Sequence, residues 1–291
     1  MKFEGILPAL VTPLTADERI NVPVLKELLE YFIEKGADGF YIGGATGEGL
    51  SLRAEERMVL AEESIAAVGG RKPCIVQVAA ADFNDALALA KQAEAVGADA
   101  ISATPPLFFQ YDEDDVYCYY KKLADAVHIP VMIYYNMAAG FPISAKFAAR
   151  MFEVDNITAI KWTCPDYFEM IRLKDLTNGE MNIINGPDQM LLMGLAAGAD
   201  GGIGTTYNFM LEYYQAIYRA FREGDLSAAQ REQSRVDQMI DALRKYTLIP
   251  ATKAIMEGLG FAVGDATFPM KRYSETEKKH IFSEFESAVL R

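Results

Sequence analysis

The chain has 291 residues, 51% hydrophobic and 24% charged, with 28 Lys and Arg against 41 Asp and Glu for a formal net charge of −13. That length fits one large α/β barrel with an appendage or two modest domains, and the plentiful, evenly spread apolar residues exclude a disordered chain. The negative charge argues against tracking a phosphate backbone, and no apolar stretch approaches the roughly 18 residues of a membrane helix, so neither nucleic acid nor membrane is expected as a partner.

Cys74, Cys118 and Cys164 are odd in number, far apart and without a Cys-x-x-Cys spacing. They support neither a disulfide framework nor a structural zinc site and point to a reducing, cytoplasmic setting. The apolar run after Lys2 is preceded by Glu4 and broken by Pro8 and Pro13, so it does not read as a secretion leader.

Short, almost continuously apolar runs occupy 5–10, 39–42, 74–78, 100–103, 131–135, 157–161, 182–185 and 201–203. Such runs mark parallel strands covered on both faces. Amphipathic helical patterns lie between and after them, at 22–35, 54–68, 84–96, 114–127, 144–152, 167–176, 188–197 and 208–223. The first puts Val24, Leu25, Leu28, Leu29 and Phe32 on one stripe behind Asn21, a candidate N-cap. Gly-Ala-Asp recurs at 36–38, 97–99 and 198–200, each time where a helix closes and a strand opens. Glycine there takes the left-handed conformation that ends a helix, and Asp suits the turn that follows. Eight strand–helix units predict a closed (β/α)8 TIM barrel over 1–223. An open doubly wound sheet is the alternative, but it leaves several glycine-rich strand ends without a shared site. Helical patterns at 226–245, 251–258 and 275–290 make 224–291 a C-terminal helical appendage of the same domain.

In a barrel, chemistry sits at the C-terminal ends of the strands. The second strand ends in Gly43-Gly44-Ala45-Thr46-Gly47-Glu48-Gly49, four glycines in seven residues. Such a loop lets backbone N–H groups converge on an anion, with the Thr46 hydroxyl as a further donor. It lacks the Gly-Lys-Ser/Thr ending of a P-loop and fails Gly-x-Gly-x-x-Gly. The fifth strand ends in Tyr134-Tyr135-Asn136 and the sixth runs into Lys161. Those strands are neighbours, so Tyr135 and Lys161 can face one mouth, where a desolvated lysine presents its neutral amine to a carbonyl. The last two strands end in Gly186-Pro187-Asp188-Gln189 and Gly204-Thr205-Thr206, groups suited to a polyhydroxylated ligand. Each feature alone has a structural explanation: a tight turn, a packing tyrosine, a strand end meeting water, a helix N-cap at Asp188. Their convergence on one mouth is what points to a site. His128 and His280 lie away from the strand ends, which offers neither a Ser-His-Asp triad nor a histidine zinc site. No clustered carboxylate pair stands at the strand ends, and no metal is expected.

Gly43-Gly44-Ala45-Thr46-Gly47-Glu48, Tyr135-Asn136 and Ile160-Lys161, in this order and spacing, resemble the signatures of the dihydrodipicolinate synthase / N-acetylneuraminate lyase family. The resemblance runs from Gly5 to at least Asn208. It implies a (β/α)8 barrel, usually a homotetramer, acting as a Schiff-base pyruvate aldolase on a small 2-oxo acid with no cofactor beyond the covalent imine. Lys161 would form the imine and Tyr135 would move the proton. Gly44, Ala45, Thr46 and Gly47 would hold the substrate carboxylate. The synthase branch carries an arginine shortly after Tyr-Asn and tyrosines after the Thr-Pro of the fourth strand. Here the segments are Met137-Ala138-Ala139-Gly140-Phe141 and Thr104-Pro105-Pro106-Leu107-Phe108-Phe109.

The lyase branch is the better match, through Gly186-Pro187-Asp188 and the run from Gly198 to Asn208. By that resemblance Gly186, Asp188, Gln189 and Thr205 would bind the hydroxyl tail of sialic acid, and Thr163 would also touch substrate. The chain departs from the branch at three points. Ala45 replaces a relay hydroxyl, Leu107 or Phe108 replaces a tyrosine normally lent by a neighbouring subunit, and Gln189 replaces a glutamate. The implied reaction is cleavage of N-acetylneuraminate to N-acetylmannosamine and pyruvate. The alternatives are an aldolase or dehydratase for another 2-keto-3-deoxy sugar acid, dihydrodipicolinate synthase, and a non-catalytic 2-oxo acid sensor.

Overall fold

The computed structural model describes residues 2–137 and 140–290. Ala138 and Ala139, part of the segment in which the synthase arginine is missing, lie outside the described residues. Strands and helices alternate as β1 (Gly5–Pro8), α1 (Val22–Glu34), β2 (Phe40–Ile42), α2 (Ala54–Val68), β3 (Cys74–Gln77), α3 (Phe83–Ala95), β4 (Ala100–Ala103) and α4 (Glu113–Ala124). They continue as β5 (Val131–Asn136), α5 (Ala145–Phe152), β6 (Ile157–Thr163), α6 (Tyr167–Leu176), β7 (Asn182–Asn185), α7 (Leu191–Ala196), β8 (Gly201–Gly204) and α8 (Tyr207–Arg222). The sheet has eight strands in the order β1-β8-β7-β6-β5-β4-β3-β2, parallel throughout. A parallel bridge between Ala9 and Tyr41, with Leu10 N–H donating to the Tyr41 carbonyl at 2.9 Å, joins β1 to β2 and draws the sheet into a barrel. The open-sheet alternative is thereby set aside.

Strand alternation divides the apolar residues between two cores. Leu7, Tyr41, Ile75, Met132, Tyr134, Ala159, Ile184 and Ile203 fill the barrel interior, as in a packed TIM barrel rather than a pore. The opposite faces pack against the helices. Three further helices follow, α9 (Leu226–Leu243), α10 (Leu248–Gly258) and α11 (Glu275–Val289). Their Val236, Met239, Ile255, Ile281 and Phe285 share one apolar cluster with Leu25 and Phe32 of α1 and Tyr214 of α8.

The repeated tripeptide has a clear structural use. Gly36, Gly97 and Gly198 take positive φ of 78°, 95° and 99°, the left-handed helix ending that glycine adopts without strain. Each following Asp then turns its carboxylate onto the backbone of the preceding strand. Asp38 accepts from Ile6 N–H at 2.8 Å, Asp99 from Cys74 N–H at 2.8 Å and Asp200 from Ile183 N–H at 2.9 Å. The sequence foretold the turn but not this strand-to-strand clamp.

Two expected caps differ in detail. Asn21 stands at the N-cap of α1 but makes no side-chain cap bond there. Asp188 caps no helix: 188–190 form a short 3-10 turn and α7 begins only at Leu191.

Candidate active site

β6 runs to Thr163, two residues past its expected end, so Lys161 lies within the ladder, paired with Tyr134 of β5 and Ile184 of β7. Alternation along β6 puts Lys161 on the barrel side with Ala159 and Thr163. Its side chain is 5% exposed, and Nζ sits 4.5 Å from the ring centre of Tyr41 and 4.3 Å from that of Tyr134. Two aromatic faces thus shelter the amine through cation–π contact. No carboxylate is ion-paired with Lys161 among the described residues. Tyr41 donates to Ser102 Oγ at 3.0 Å, and its burial inside the barrel pushes its phenol well above the usual tyrosine range. It remains a neutral wall of the site at physiological pH.

The expected partnership of Lys161 with Tyr135 is corrected by the strand register. Successive side chains of a strand point to opposite faces, and Tyr134 takes the inward position. Tyr135 points outward, packing edge-on against Trp162 at 4.9 Å between ring centres. Burial and a hydrogen bond with Cys164 push its phenol up to about 12. Asn136 shares the inward face of Tyr134, and its Nδ2–H donates to Tyr134 Oη at 3.3 Å. The polar Asn136 was the available signal: a residue aimed at the mouth shares its face with the side chain two positions earlier, not with its neighbour.

The glycine loop is shaped by close approaches. A Cβ at Gly47 would come within 2.9 Å of the Leu10 carbonyl oxygen, whose backbone leads out of β1. Thr12 Oγ1 donates to the Gly47 carbonyl at 2.7 Å. Thr46 Oγ1 hydrogen-bonds Thr205 Oγ1 at 2.7 Å, tying this loop to the end of β8. Glu48, left-handed at φ 58° and 3% exposed, is ion-paired with Lys253 of α10 at 2.6 Å. Its other oxygen accepts from Thr267 N–H at 2.6 Å. Burial lowers the proton affinity of the Lys253 amine, an effect countered by the Glu48 charge.

At the far side, Asp188 Oδ2 accepts from both the backbone N–H and the hydroxyl of Thr206, each at 2.7 Å. Thr206 in turn hydrogen-bonds the buried Tyr214 hydroxyl. Burial raises the Asp188 carboxyl, while the Thr206 donors and the charge of Lys161 oppose that shift. Gly204 must lack a side chain because a Cβ there would strike Asp188 Oδ1. Gly186 is constrained in the same way by the Thr163 hydroxyl, which is buried and has no hydrogen-bond partner among the described residues.

Lys161, Ala45, Thr46, Thr163, Gly186, Asp188, Gln189 and Thr205 therefore line one cavity of about 450 Å³, together with Tyr134 and Asn136. Gly44 and Gly47 shape its wall through the backbone without lining it. A larger cavity of about 760 Å³ between α8, α9 and α10 shares Gln189, Thr206, Ile240 and Leu248 with the first. The C-terminal helices thus form a vestibule to the barrel mouth. Tyr41, Tyr134 and Asn136 are the site residues that sequence reasoning did not select, whereas Thr206 stands out in the sequence as a hydrogen-bonding group. Phe108 and Phe109 stack edge-on at 5.1 Å on the loop after β4, and Phe108 is 94% exposed at φ 76°.

The cavity joins a sheltered lysine, an inward tyrosine and a glycine loop at one barrel mouth, and known proteins share the whole frame. The chain is 32% identical over 277 residues to the N-acetylneuraminate lyase of Rhizobium meliloti, covering 95% of this chain and 92% of that one. Among solved structures, the N-acetylneuraminate lyase of Proteus mirabilis superposes with a TM-score of 0.94 at 29% identity, covering 99% of both chains. A dihydrodipicolinate synthase from Bacillus anthracis superposes with a TM-score of 0.93 at 26% identity, again over 99% of both. The dihydrodipicolinate synthetase family profile matches residues 2–288, and the chain belongs to that family of lyases.

Proposed function

We propose that the protein is a Schiff-base, pyruvate-releasing aldolase that cleaves N-acetylneuraminate to N-acetylmannosamine and pyruvate. The observation that carries this reading is the placement of Lys161, sheltered by two aromatic rings, unpaired with any carboxylate among the described residues, and open to the same cavity as Tyr134 and Thr46. Its amine adds to the ketone carbon of the open-chain sugar acid, and loss of water leaves a protonated imine. The substrate carboxylate lies against the glycine loop, with the Thr46 hydroxyl beside it. Tyr134 Oη takes the C4 hydroxyl proton, passing its own to the substrate carboxylate. As the C3–C4 bond breaks, its electron pair flows into the imine, and C4 departs as the aldehyde of N-acetylmannosamine. The proton held on the carboxyl group returns to C3 of the enamine by way of Tyr134, and water adds to the imine, releases pyruvate and regenerates Lys161.

Asp188, Gln189 and Thr205, opposite the lysine, supply oxygen and amide groups for the hydroxyl tail. Among the described residues, Lys161 is the cationic side chain lining this cavity and Asp188 stands at the tail end, which favours a neutral polyol tail over a second carboxylate. Curated relatives named as N-acetylneuraminate lyases support the sugar assignment. A second reading, cleavage or dehydration of another 2-keto-3-deoxy sugar acid, is favoured by Ala45, which faces the cavity where the lyase branch places a hydroxyl. We further propose a cytoplasmic homotetramer that needs no metal or organic cofactor. The exposed Phe108–Phe109 pair supports burial against another copy.

The test is borohydride reduction in the presence of pyruvate followed by mass analysis of the peptide containing Lys161. It is paired with pyruvate release from a panel of sugar acids, with and without EDTA. A reduced adduct on Lys161 and EDTA-insensitive release from N-acetylneuraminate are expected. Release from a different sugar acid alone would transfer the assignment to the second reading.

A further inference from the structure

The wall around Tyr134 is short of hydroxyl groups. Ala45 offers none, and the Thr46 hydroxyl is held by Thr205 at 2.7 Å. Tyr41 meets Tyr134 ring to ring at 5.9 Å but directs its own hydroxyl to Ser102. Among the described residues, the hydrogen-bond partner of Tyr134 Oη is Asn136 Nδ2, at 3.3 Å. Catalytic hydrogen bonds are often this long before substrate binds, so the length does not exclude a working contact. Asn136 ends β5 opposite Thr163 of β6, so the backbone ladder fixes it beside the phenol.

We propose that Asn136 is the positioning residue for Tyr134. Its amide N–H occupies one lone pair of the phenol oxygen, leaves the other for the C4 hydroxyl of the substrate, and stabilises negative charge gathering on that oxygen. The inference rests on the proposed proton transfer for its catalytic meaning, but the contact itself can be read without turnover. An amide donor has no proton to give up near neutral pH, so Asn136 tunes the phenol without becoming a second acid. The charged and titratable groups facing Tyr134 are Lys161 from β6 and Tyr41 from β2. Neither contributes a hydrogen bond to its hydroxyl, and both stay in place when Asn136 is changed.

The experiment is an ultraviolet titration of the Tyr134 phenol, isolated as the difference between each protein and its Tyr134→Phe counterpart. It is run for wild type, Asn136→Ala and Asn136→Asp. Loss of a hydrogen bond to the charged form moves the midpoint up by about one pH unit in Asn136→Ala. Asn136→Asp, nearly isosteric but acidic, moves it further. Turnover falls in the same order, while borohydride trapping of pyruvate on Lys161 stays at the wild-type level in both. A packing role gives the opposite ranking, because Asp fills the space that Ala vacates. An unmoved midpoint, or an Asp variant closer to wild type than the Ala variant, overturns the proposal. Failure of wild type to trap pyruvate overturns the aldolase reading instead and leaves the titration to decide Asn136 on its own.

Discussion

At the N-terminal end of the barrel strands, Asp38, Asp99 and Asp200 hold the starts of β1, β3 and β7. At the opposite end, among the described residues, the buried Thr163 hydroxyl has no partner and Lys161 is sheltered by rings instead of a counter-ion. The three aspartates at the lower end are satisfied within the fold, whereas the Thr163 hydroxyl and the Lys161 amine at the upper end lie at the cavity. An unpaired buried polar group costs about 1–3 kcal/mol, a cost that the Thr163 hydroxyl carries and the three aspartate clamps do not. The contrast separates residues that make the barrel stand from residues that make it react, and substitutions can test that separation.

The sharpest separation is expected at Lys161. Lys161→Ala is expected to reduce pyruvate release to background and abolish borohydride trapping, with an unchanged melting temperature. Tyr134→Phe should lower kcat by about 10²–10⁴-fold, whereas Tyr135→Phe, which touches only the outer core, leaves kcat near wild type. Steady-state kinetics on this adjacent pair test the strand register directly, and equal losses would break it. Lys253→Met crosses the divide. It strands the buried Glu48 charge, costing about 3–5 kcal/mol in denaturant melts, and it loosens the glycine loop enough to raise KM. Asp200→Ala, at the base, removes the acceptor for Ile183 N–H, Asn182 Nδ2 and Lys174 Nζ. It should cost about 2–3 kcal/mol with kcat preserved.

The smallest effect concerns pH. Burial raises the Asp188 carboxyl above its unfolded value, so the folded state binds the extra proton and wild-type stability falls as pH rises through that window. Asp188→Asn lacks this loss. Its stability relative to wild type should improve as pH rises above the ordinary aspartate range, measured by denaturant midpoints, while KM for the sugar acid rises.

The fold was legible because its signals are local. Apolar runs, helical stripes and the repeated Gly-Ala-Asp each fit within a few residues, and the barrel follows from their alternation. The cavity was legible where a residue type announces its chemistry, as with Lys161 and the glycine loop. Tyr135 failed for a different reason. Two adjacent tyrosines differ only in which face they take, and facing is set by pairing with β6, which a single strand does not reveal. Asp188 was expected as a helix cap because local spacing allows it, yet its partner is Thr206, brought near by the β8 turn. The Glu48–Lys253 pair had no local trace at all, since only the closed structure brings α10 under the loop.

That pair also orders events during synthesis. Glu48 and Thr267 are 219 positions apart, so at about 5–20 residues per second the ribosome delivers the second roughly 10–40 s after the first. Every strand of the barrel has emerged by then, but the Glu48 carboxylate still has neither its lysine nor its backbone donor. The strands are thus available for pairing before the glycine loop has its anchor. The anchor therefore arrives with the last part of the chain, and a truncated product that kept every strand would lack the Glu48 pairing that fixes the glycine loop.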